Sequence, residues 1–590
     1  MLEKSVFHEP KSRFAYAYDQ NTLHIRLRTG RDEADAVYLL WDDPFEWSQN
    51  EDGSYSWDLS HRDPMQKIGS TDVFDYWFCE IRPPYKRVKY AFEIHQDENI
   101  HTYSEQGFVS EERSRDSGHY FTFPYINSED VFQAPQWVKD TVWYQIFPER
   151  FADGNPDNNP PGTLPWGSVE PAQDSFFGGD LQGIIDQIGH LADMGITGLY
   201  LTPIFKASSN HKYDTIDYME LDPQFGDKET LKELVKTCHN HGIRVMLDAV
   251  FNHSGYHFPP FQDVLEKGEQ SPYKDWFYIR EYPITEKPRP SYETFGFTPA
   301  MPKLNTSNAE LKEYLLEAGR YWVREFDIDG WRLDVANEVS HSFWREFRQE
   351  VKKIKPDVYI LGEIWHDAMP WLQGDQFDAV MNYPFTSGAI EFFAKNTLSP
   401  SEFRKLTVEA LLMYPQNVAE AAFNLLGSHD TARILTVAGG NVQKVKQLFT
   451  YLLSAVGTPC IYYGDEIGME GGMDPGCRRC MEWDESKQDR RLYHYIKTLI
   501  SLRKTNKAFG PEGIVSSIEA DDEKNTILIK KSYGDEELFV LYNHSDEAQA
   551  LDLPEGCDAG ARNLITGEVY SGSSLMMEAH GTAVIGKNQG

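Results

Sequence analysis

Residues 330–338, Gly-Trp-Arg-Leu-Asp-Val-Ala-Asn-Glu, set an arginine and an aspartate two positions apart inside an apolar run. Ile328, Trp331, Leu333 and Val335 surround Arg332 and Asp334, and a helix-like run from Leu311 to Glu325 precedes them. This pattern predicts a short buried strand that carries a charge pair. Positions i and i+2 of a strand share a face. An unpaired charge on a buried face costs several kcal/mol, on the order of a domain's whole stability. Arg332 and Asp334 are therefore either a structural ion pair or part of a working site, and the stretch by itself allows both.

Three other stretches share the form of an apolar strand ending in polar groups: Arg244 to His253 (RVMLDAVFNH), Val358 to His366 (VYILGEIWH) and Ala421 to Asp430 (AAFNLLGSHD). In a barrel of parallel strands, such ends converge on one face. Taken in order, the four segments resemble the four signature regions of the α-amylase family, glycoside hydrolase family 13. The resemblance implies an α/β chain built on a (β/α)8 TIM barrel. Further barrel strands are expected at Thr141–Phe147, Gly195–Pro203, Phe377–Asn382, Ala421–Leu426 and Pro459–Tyr463, with a closing helix from Arg491 to Arg503. Asp334 to Glu363 is the length of one βα unit, whereas Asp248 to Asp334 is nearly three times as long. The surplus, about residues 254–300, is aromatic-rich and irregular, and resembles the small domain inserted after the third barrel strand in this family. Met301-Pro-Lys-Leu-Asn305 resembles the fifth signature of its neopullulanase, cyclomaltodextrinase and maltogenic amylase branch.

On either side of the barrel the apolar period changes to two. Leu23, Ile25 and Leu27, then Phe74, Tyr76 and Phe78, then Val88, Tyr90, Phe92 and Ile94 alternate between Asp, Gly, Pro and Asn clusters, which predicts an N-terminal β-sandwich. It resembles the starch-binding module of that branch, with Trp41 and Trp47 as either stacking platforms or core residues. Alternation returns after about residue 506 (Ile527 and Ile529; Leu538, Val540 and Tyr542) and predicts a C-terminal β-sandwich. The expected division is 1–125, 126–505 and 506–590.

Cleavage of a glycosidic bond with retention requires one carboxylate to attack the anomeric carbon and one carboxylic acid to protonate the leaving oxygen. The resemblance makes Asp334 the nucleophile, Glu363 the general acid/base and Asp430 the third carboxylate, which holds hydroxyls of the distorted sugar. Arg332 beside Asp334 is expected to lower its pKa, and Ile364 and Trp365 to desolvate Glu363 so that it stays protonated. His253 and His429 are the expected hydrogen-bond donors to the sugar, and Tyr213 the ring stacked on it. Phe295, Trp365 and Tyr383 match aromatics that line neighbouring subsites, Ile364 and Met381 apolar acceptor-side positions, and Asp474 and Arg478 donor-side contacts. Asp248 and Asn252 are expected to support the site.

Asp153-Gly-Asn-Pro-Asp-Asn-Asn159 is dense in hard oxygen ligands, as a Ca2+ site requires. It is not an EF-hand, because Asn158 stands at position six and Leu164 at position twelve. It resembles the calcium loop near the first barrel strand in the cyclomaltodextrinase branch, where Asp153, Asn155, Asn158, Asn159, Gly178 and Asp180 would hold the ion.

A net charge of −35, from 92 acidic and 57 basic residues, argues against nucleic acid or an anionic membrane surface as partner and suits a neutral substrate. The N-terminal residues show no signal-peptide apolar run, and six scattered cysteines fit a reducing compartment, so a cytoplasmic protein is expected. The resemblance implies hydrolysis of α-1,4 and some α-1,6 glucosidic bonds in cyclodextrins, pullulan and maltooligosaccharides, with transglycosylation. It also implies a homodimer whose N-terminal domains are exchanged over the active sites. An intracellular oligo-1,6-glucosidase and a non-catalytic glucan-binding protein are the alternatives. The N-terminal sandwich and the MPKLN segment count against the first, and the complete carboxylate set against the second.

Overall fold

The computed structural model describes residues 2–109, 117–554, 557 and 559–586. Met1, 110–116, 555–556, 558 and 587–590, which fall within the two expected sandwiches, lie outside the described residues. Eight short parallel strands form the central sheet: β1 (Trp143–Ile146), β2 (Gly198–Leu201), β3 (Arg244–Ala249), β4 (Gly330–Leu333), β5 (Tyr359–Gly362), β6 (Ala379–Val380), β7 (Phe423–Leu425) and β8 (Thr458–Tyr462). They pair in the order β6-β5-β4-β3-β2-β1-β8-β7. A parallel bridge between Met381 and Phe423, with Asn382 donating its backbone N–H to the Phe423 carbonyl at 2.8 Å, closes β6 on β7 and makes the sheet a barrel. Met381, matched from the sequence to an apolar acceptor-side position, is thus buried at the closing seam and does not line the cleft.

Strand alternation sorts the side chains. Trp143, Tyr200, Met246, Tyr359, Leu361, Ala379, Phe423 and Leu425 pack in the barrel interior. The intervening Val245, Leu247, Trp331, Leu333 and Ile360 join the larger core beneath the helices. On the same parity, the next inward positions toward the carboxyl ends are Gln145, Asp248, Arg332 and Glu363. Polar side chains therefore converge where the apolar interior stops, and Asp248 of β3 lies directly beside Arg332 of β4 in the register.

The helices follow from capped amphipathic runs. Ala309–Phe326 starts at Asn308, whose side chain accepts from the backbone of Glu310 and Leu311. It buries Leu311, Leu315, Trp322 and Phe326, each contributing roughly 1.5–3 kcal/mol. Gly319 permits its close approach to helix His341–Ile354, since a Cβ there would lie 2.5 Å from the Phe347 ring.

After β3 the chain leaves the barrel through helix Pro259–Lys267. It returns as an arm held by antiparallel bridges Thr294 to Pro302 and His253 to Lys303. The arm carries Phe295, Met301 and Lys303 to the barrel mouth.

Ahead of the barrel, a four-stranded and a six-stranded antiparallel sheet enclose Leu23, Ile25, Leu27, Val37, Leu39, Phe92 and Ile94. Trp41 is buried, its indole N–H donating to Asp63 at 2.6 Å, so it is a core residue and not a platform. Trp47 is 52% exposed. The C-terminal unit pairs a six-stranded with a two-stranded sheet around Phe539, Leu541, Leu551 and Ile585. Among the described residues, no helix is long and apolar enough to cross a membrane.

Candidate active site

Arg332, fully buried, organises the carboxylates. Its Nη1 lies 2.8 Å from Asp334 and 3.0 Å from Asp248, and its Nη2 lies 2.9 Å from Glu363. One guanidinium is thus shared by three carboxylates from three strands, and does not serve Asp334 alone. Burial first, then the negative charge of Glu363, pushes the Asp334 carboxyl well above the usual range, against the opposing pull of Arg332. This reverses the direction expected from the Arg332–Asp334 neighbourhood alone. Asp248 is pushed up to about 6, chiefly by burial. It also accepts from Tyr200 at 2.7 Å and Tyr213 at 2.9 Å, so the phenol of Tyr213 is tied to the barrel floor while its ring faces the cleft.

Glu363 is held by two N–H donors, the backbone of Val335 at 3.0 Å to Oε2 and the indole of Trp365 at 3.1 Å to Oε1. Trp365 therefore presents a polar N–H to Glu363 where an apolar wall was expected. Ile364 supplies no wall to it, because its parity is opposite and it is buried in the outer core. Val335 delivers its N–H from a left-handed conformation, φ 44°. A β-branched residue adopts that conformation only where its surroundings impose it.

The histidines are neutral donors. The Gln145 amide lies 2.8 Å from Nδ1 of His429, which leaves Nε2–H to face Asp430 at 3.3 Å. Burial, with Arg478 and Arg332 nearby, keeps its pKa well below the usual histidine value. His253 is lowered to about 3 by burial and by Lys303, with the Tyr213 backbone pulling the other way, and its Nε2 makes no well-aligned hydrogen bond among the described residues. Arg478 bridges Asp430 at 3.3 Å and Asp474 at 3.0 Å.

These groups surround a cleft of 350 Å³ lined by Tyr213, His253, Phe295, Asp334, Glu363, Trp365, His429, Asp430, Asp474 and Arg478. Tyr383 does not line the cleft itself; its buried ring stacks on that of the half-exposed Trp365, centroids 3.5 Å apart. His211, Met301 and Val335 also line the cleft, and sequence reasoning had not assigned them roles. His211 was within reach, since it sits in the loop after β2 beside Tyr213. The shape imposed on Val335 leaves no mark in the residue sequence.

The oxygen-rich loop lies against the start of helix Leu181–Met194, away from the cleft. Asp180 caps that helix and accepts from the backbone of Gly183, Gly154 and Asn155 and from the Asn158 amide. Asn155 Oδ1 accepts from the backbone of Asp157, and the Asn159 amide donates to Asp153 at 3.0 Å. Asn159 Oδ1, buried against Gly178, finds no hydrogen-bond partner among the described residues. Among the described residues, no three of His, Cys, Asp and Glu come together as a metal site. A cation here would draw on the two carboxylates of Asp153 and Asp180 and otherwise on amide and carbonyl oxygens, and the orphaned Asn159 oxygen fits a hard ion of that kind.

Residues 145–511 match the family model described as the catalytic domain of α-amylase, and residues 1–127 the one described as its N-terminal Ig-like domain. Residues 526–587 match the C-terminal domain described for β-galactosidase. The chain is 58% identical to a cyclomaltodextrinase of Geobacillus thermopakistaniensis over 574 residues, 97% of this chain and 96% of that one. It is 48% identical to the intracellular maltogenic amylase of Bacillus subtilis, over 93% of this chain and 92% of the relative. A solved cyclomaltodextrinase structure superposes with a TM-score of 0.91 at 47% identity, covering 99% of this chain and 100% of that one. A catalytic-domain match over more than half of the residues, together with relatives this similar over nearly their whole length, shows that the chain belongs to the α-amylase family of glycoside hydrolases.

Proposed function

We propose that the chain is a retaining α-glucan hydrolase that cleaves α-1,4 and some α-1,6 glucosidic bonds in cyclodextrins, pullulan and maltooligosaccharides, with transfer to sugar acceptors. The observation that carries this reading is the meeting of Asp334, Glu363 and Asp430 in one cleft around Arg332. Asp334 attacks the anomeric carbon while Glu363 gives its proton to the leaving oxygen. Glu363 then takes a proton from water, or from a sugar hydroxyl in transfer, as that oxygen displaces Asp334. Burial raises the carboxyls of Asp334 and Asp248 above the usual range, which favours retention of a proton in the cluster about Arg332. Tyr213 stacks on the sugar. Asp430, His253 and His429 bind its hydroxyls, and Asp474 with Arg478 binds on the donor side. The names of the similar cyclomaltodextrinase and maltogenic amylase support the substrate class. The intracellular label of the Bacillus subtilis relative supports a cytoplasmic location.

The N-terminal sandwich, on this reading, covers the active site of a second copy in a homodimer. Phe45 and Trp47, 70% and 52% exposed on that sandwich, supply apolar surface for it. Narrowing the cleft in this way favours cyclodextrins and short chains over starch. Full-length protein should therefore sediment as a dimer at micromolar concentration and hydrolyse cyclodextrin faster than starch. The double substitution Phe45→Ser and Trp47→Ser should weaken the dimer and shift the ratio toward starch. A monomeric parent, or a ratio unmoved in a monomeric variant, would remove this role, and the absence of any glucan hydrolysis would remove the functional reading itself.

Ca2+ is proposed at the loop of Asp153, Asn155, Asn158, Asn159, Gly178 and Asp180, supported by the orphaned Asn159 oxygen. A bound ion would brace the loop onto the helix that follows. Chelation should then lower the melting temperature by a few degrees, by linkage, without abolishing activity at low temperature. Superimposable melting curves of calcium-loaded and chelated protein would leave the loop as a hydrogen-bonded turn alone.

A further inference from the structure

We propose that Lys303 is a positioning residue whose ammonium group, by fixing the amide of Asn252, makes His253 present Nε2–H to the sugar; the role rests on the hydrolase reading above. Lys303 arrives on the arm that returns from the insertion. The backbone pairs there, Ser254 N–H to Pro302 O at 3.0 Å and Leu304 N–H to Asn252 O at 3.0 Å, clamp it beside the end of β3. Its Nζ donates to Asn252 Oδ1 in a short contact, and to the backbone and side-chain oxygens of Glu338, both at 3.2 Å.

An ammonium can only donate, so the Asn252 atom facing it is the oxygen. The amide NH2 then faces His253, 3.3 Å from Nδ1. Nδ1 must accept, and in a neutral ring the proton is left on Nε2. That atom is buried, makes no well-aligned hydrogen bond among the described residues, and belongs to a ring lining the cleft. Phe295, stacked 5.1 Å from the imidazole at 21°, fixes its plane. Burial and the charge of Lys303 keep the ring neutral. The arm thus settles which hydrogen-bonding role His253 offers, at a position where a sugar hydroxyl or a developing negative charge would meet it. Lys303 itself touches no reacting atom.

Three full-length variants test the wiring. Lys303→Met should lower kcat on a cyclodextrin by about 10²-fold, the usual loss for a misoriented donor, with KM changed only a few-fold. Lys303→Arg should recover most of that loss, because the charge is kept. Asn252→Asp keeps and strengthens the contact with Lys303, so the arm stays docked and the melting temperature holds. It also places a carboxylate oxygen against Nδ1, which should move the proton to Nδ1 and lower kcat as far as Lys303→Met does. Nitrogen-15 histidine spectra, with the His253 resonances identified by their loss in His253→Gln, should show the Nε2–H tautomer in the parent and Nδ1–H in Asn252→Asp. A parent carrying the proton on Nδ1, or Asn252→Asp and Lys303→Met retaining the parent's kcat, would overturn the proposal. A parent inactive on every glucan would instead overturn the functional reading and leave the tautomer result standing.

Discussion

Asp334→Asn should lose on the order of 10⁴-fold or more in kcat while folding as the parent does. Removing a covalent nucleophile deletes a bond made in the transition state and not merely ground-state binding. The substitution nearly preserves volume and keeps an acceptor for Arg332, which donates to Asp334 at 2.8 Å. The sign of the stability effect is also set. The folded-state pKa of Asp334 is raised above the ordinary aspartate value by burial and by Glu363. Its ionised form therefore lowers stability as pH climbs from the ordinary aspartate value to the raised one. Asparagine removes that contribution, so the variant should melt at or above the parent's temperature at neutral pH. Glu363→Gln should be nearly as inactive on natural glucans. It should recover glycosylation on a glucoside with an acidic phenol leaving group, which departs without a proton. Full activity in Asp334→Asn, with deamidation excluded by mass, would sink the assignment of the nucleophile.

The parts of the site carried by strand parity were legible in the sequence, because a buried barrel strand forces apolar residues on both faces and makes a terminal charge conspicuous. The same parity, applied one step further, separates Glu363 from Ile364: adjacent strand residues point to opposite faces, so Ile364 had to enter the outer core. Met381 was misplaced for another reason. Its parity is inward, but it sits at the seam where β6 closes on β7, and closure is a property of the whole sheet. The direction of the Asp334 shift was misread because burial of the carboxyl, and after it the charges of Glu363 and Asp248 that arrive from other strands, outweigh the neighbouring Arg332 that the sequence shows. Lys303 and Asn252 meet only through the folding back of the insertion. No local pattern encodes such a pair, although the segment that carries Lys303 was conspicuous.

Arg332→Met should be the most damaging single change to stability. It leaves Asp248, Asp334 and Glu363 buried without the cation that all three share. Breaking a buried pair from one side costs about 3–5 kcal/mol, since the remaining charge stays desolvated. The deficit should depend on pH in a fixed direction. Asp248, at about 6, and Asp334, well above the usual range, are already raised with Arg332 present, and Arg332 lowers both. Without it both rise further, so each can be protonated near pH 5 at little cost and must be ionised at a larger one near pH 8. The gap in melting temperature between parent and variant should therefore widen from pH 5 to pH 8. Whatever activity remains should show an acid limb displaced to higher pH, because Asp334 attacks only when ionised. Arg332→Lys should restore part of the stability, as a single ammonium supplies the charge but lacks the two separate nitrogens, of which Nη1 donates to Asp334 and Nη2 lies 2.9 Å from Glu363. Equal melting curves for parent and Arg332→Met at pH 8, or an acid limb displaced downward, would show that the guanidinium does not balance these carboxylates.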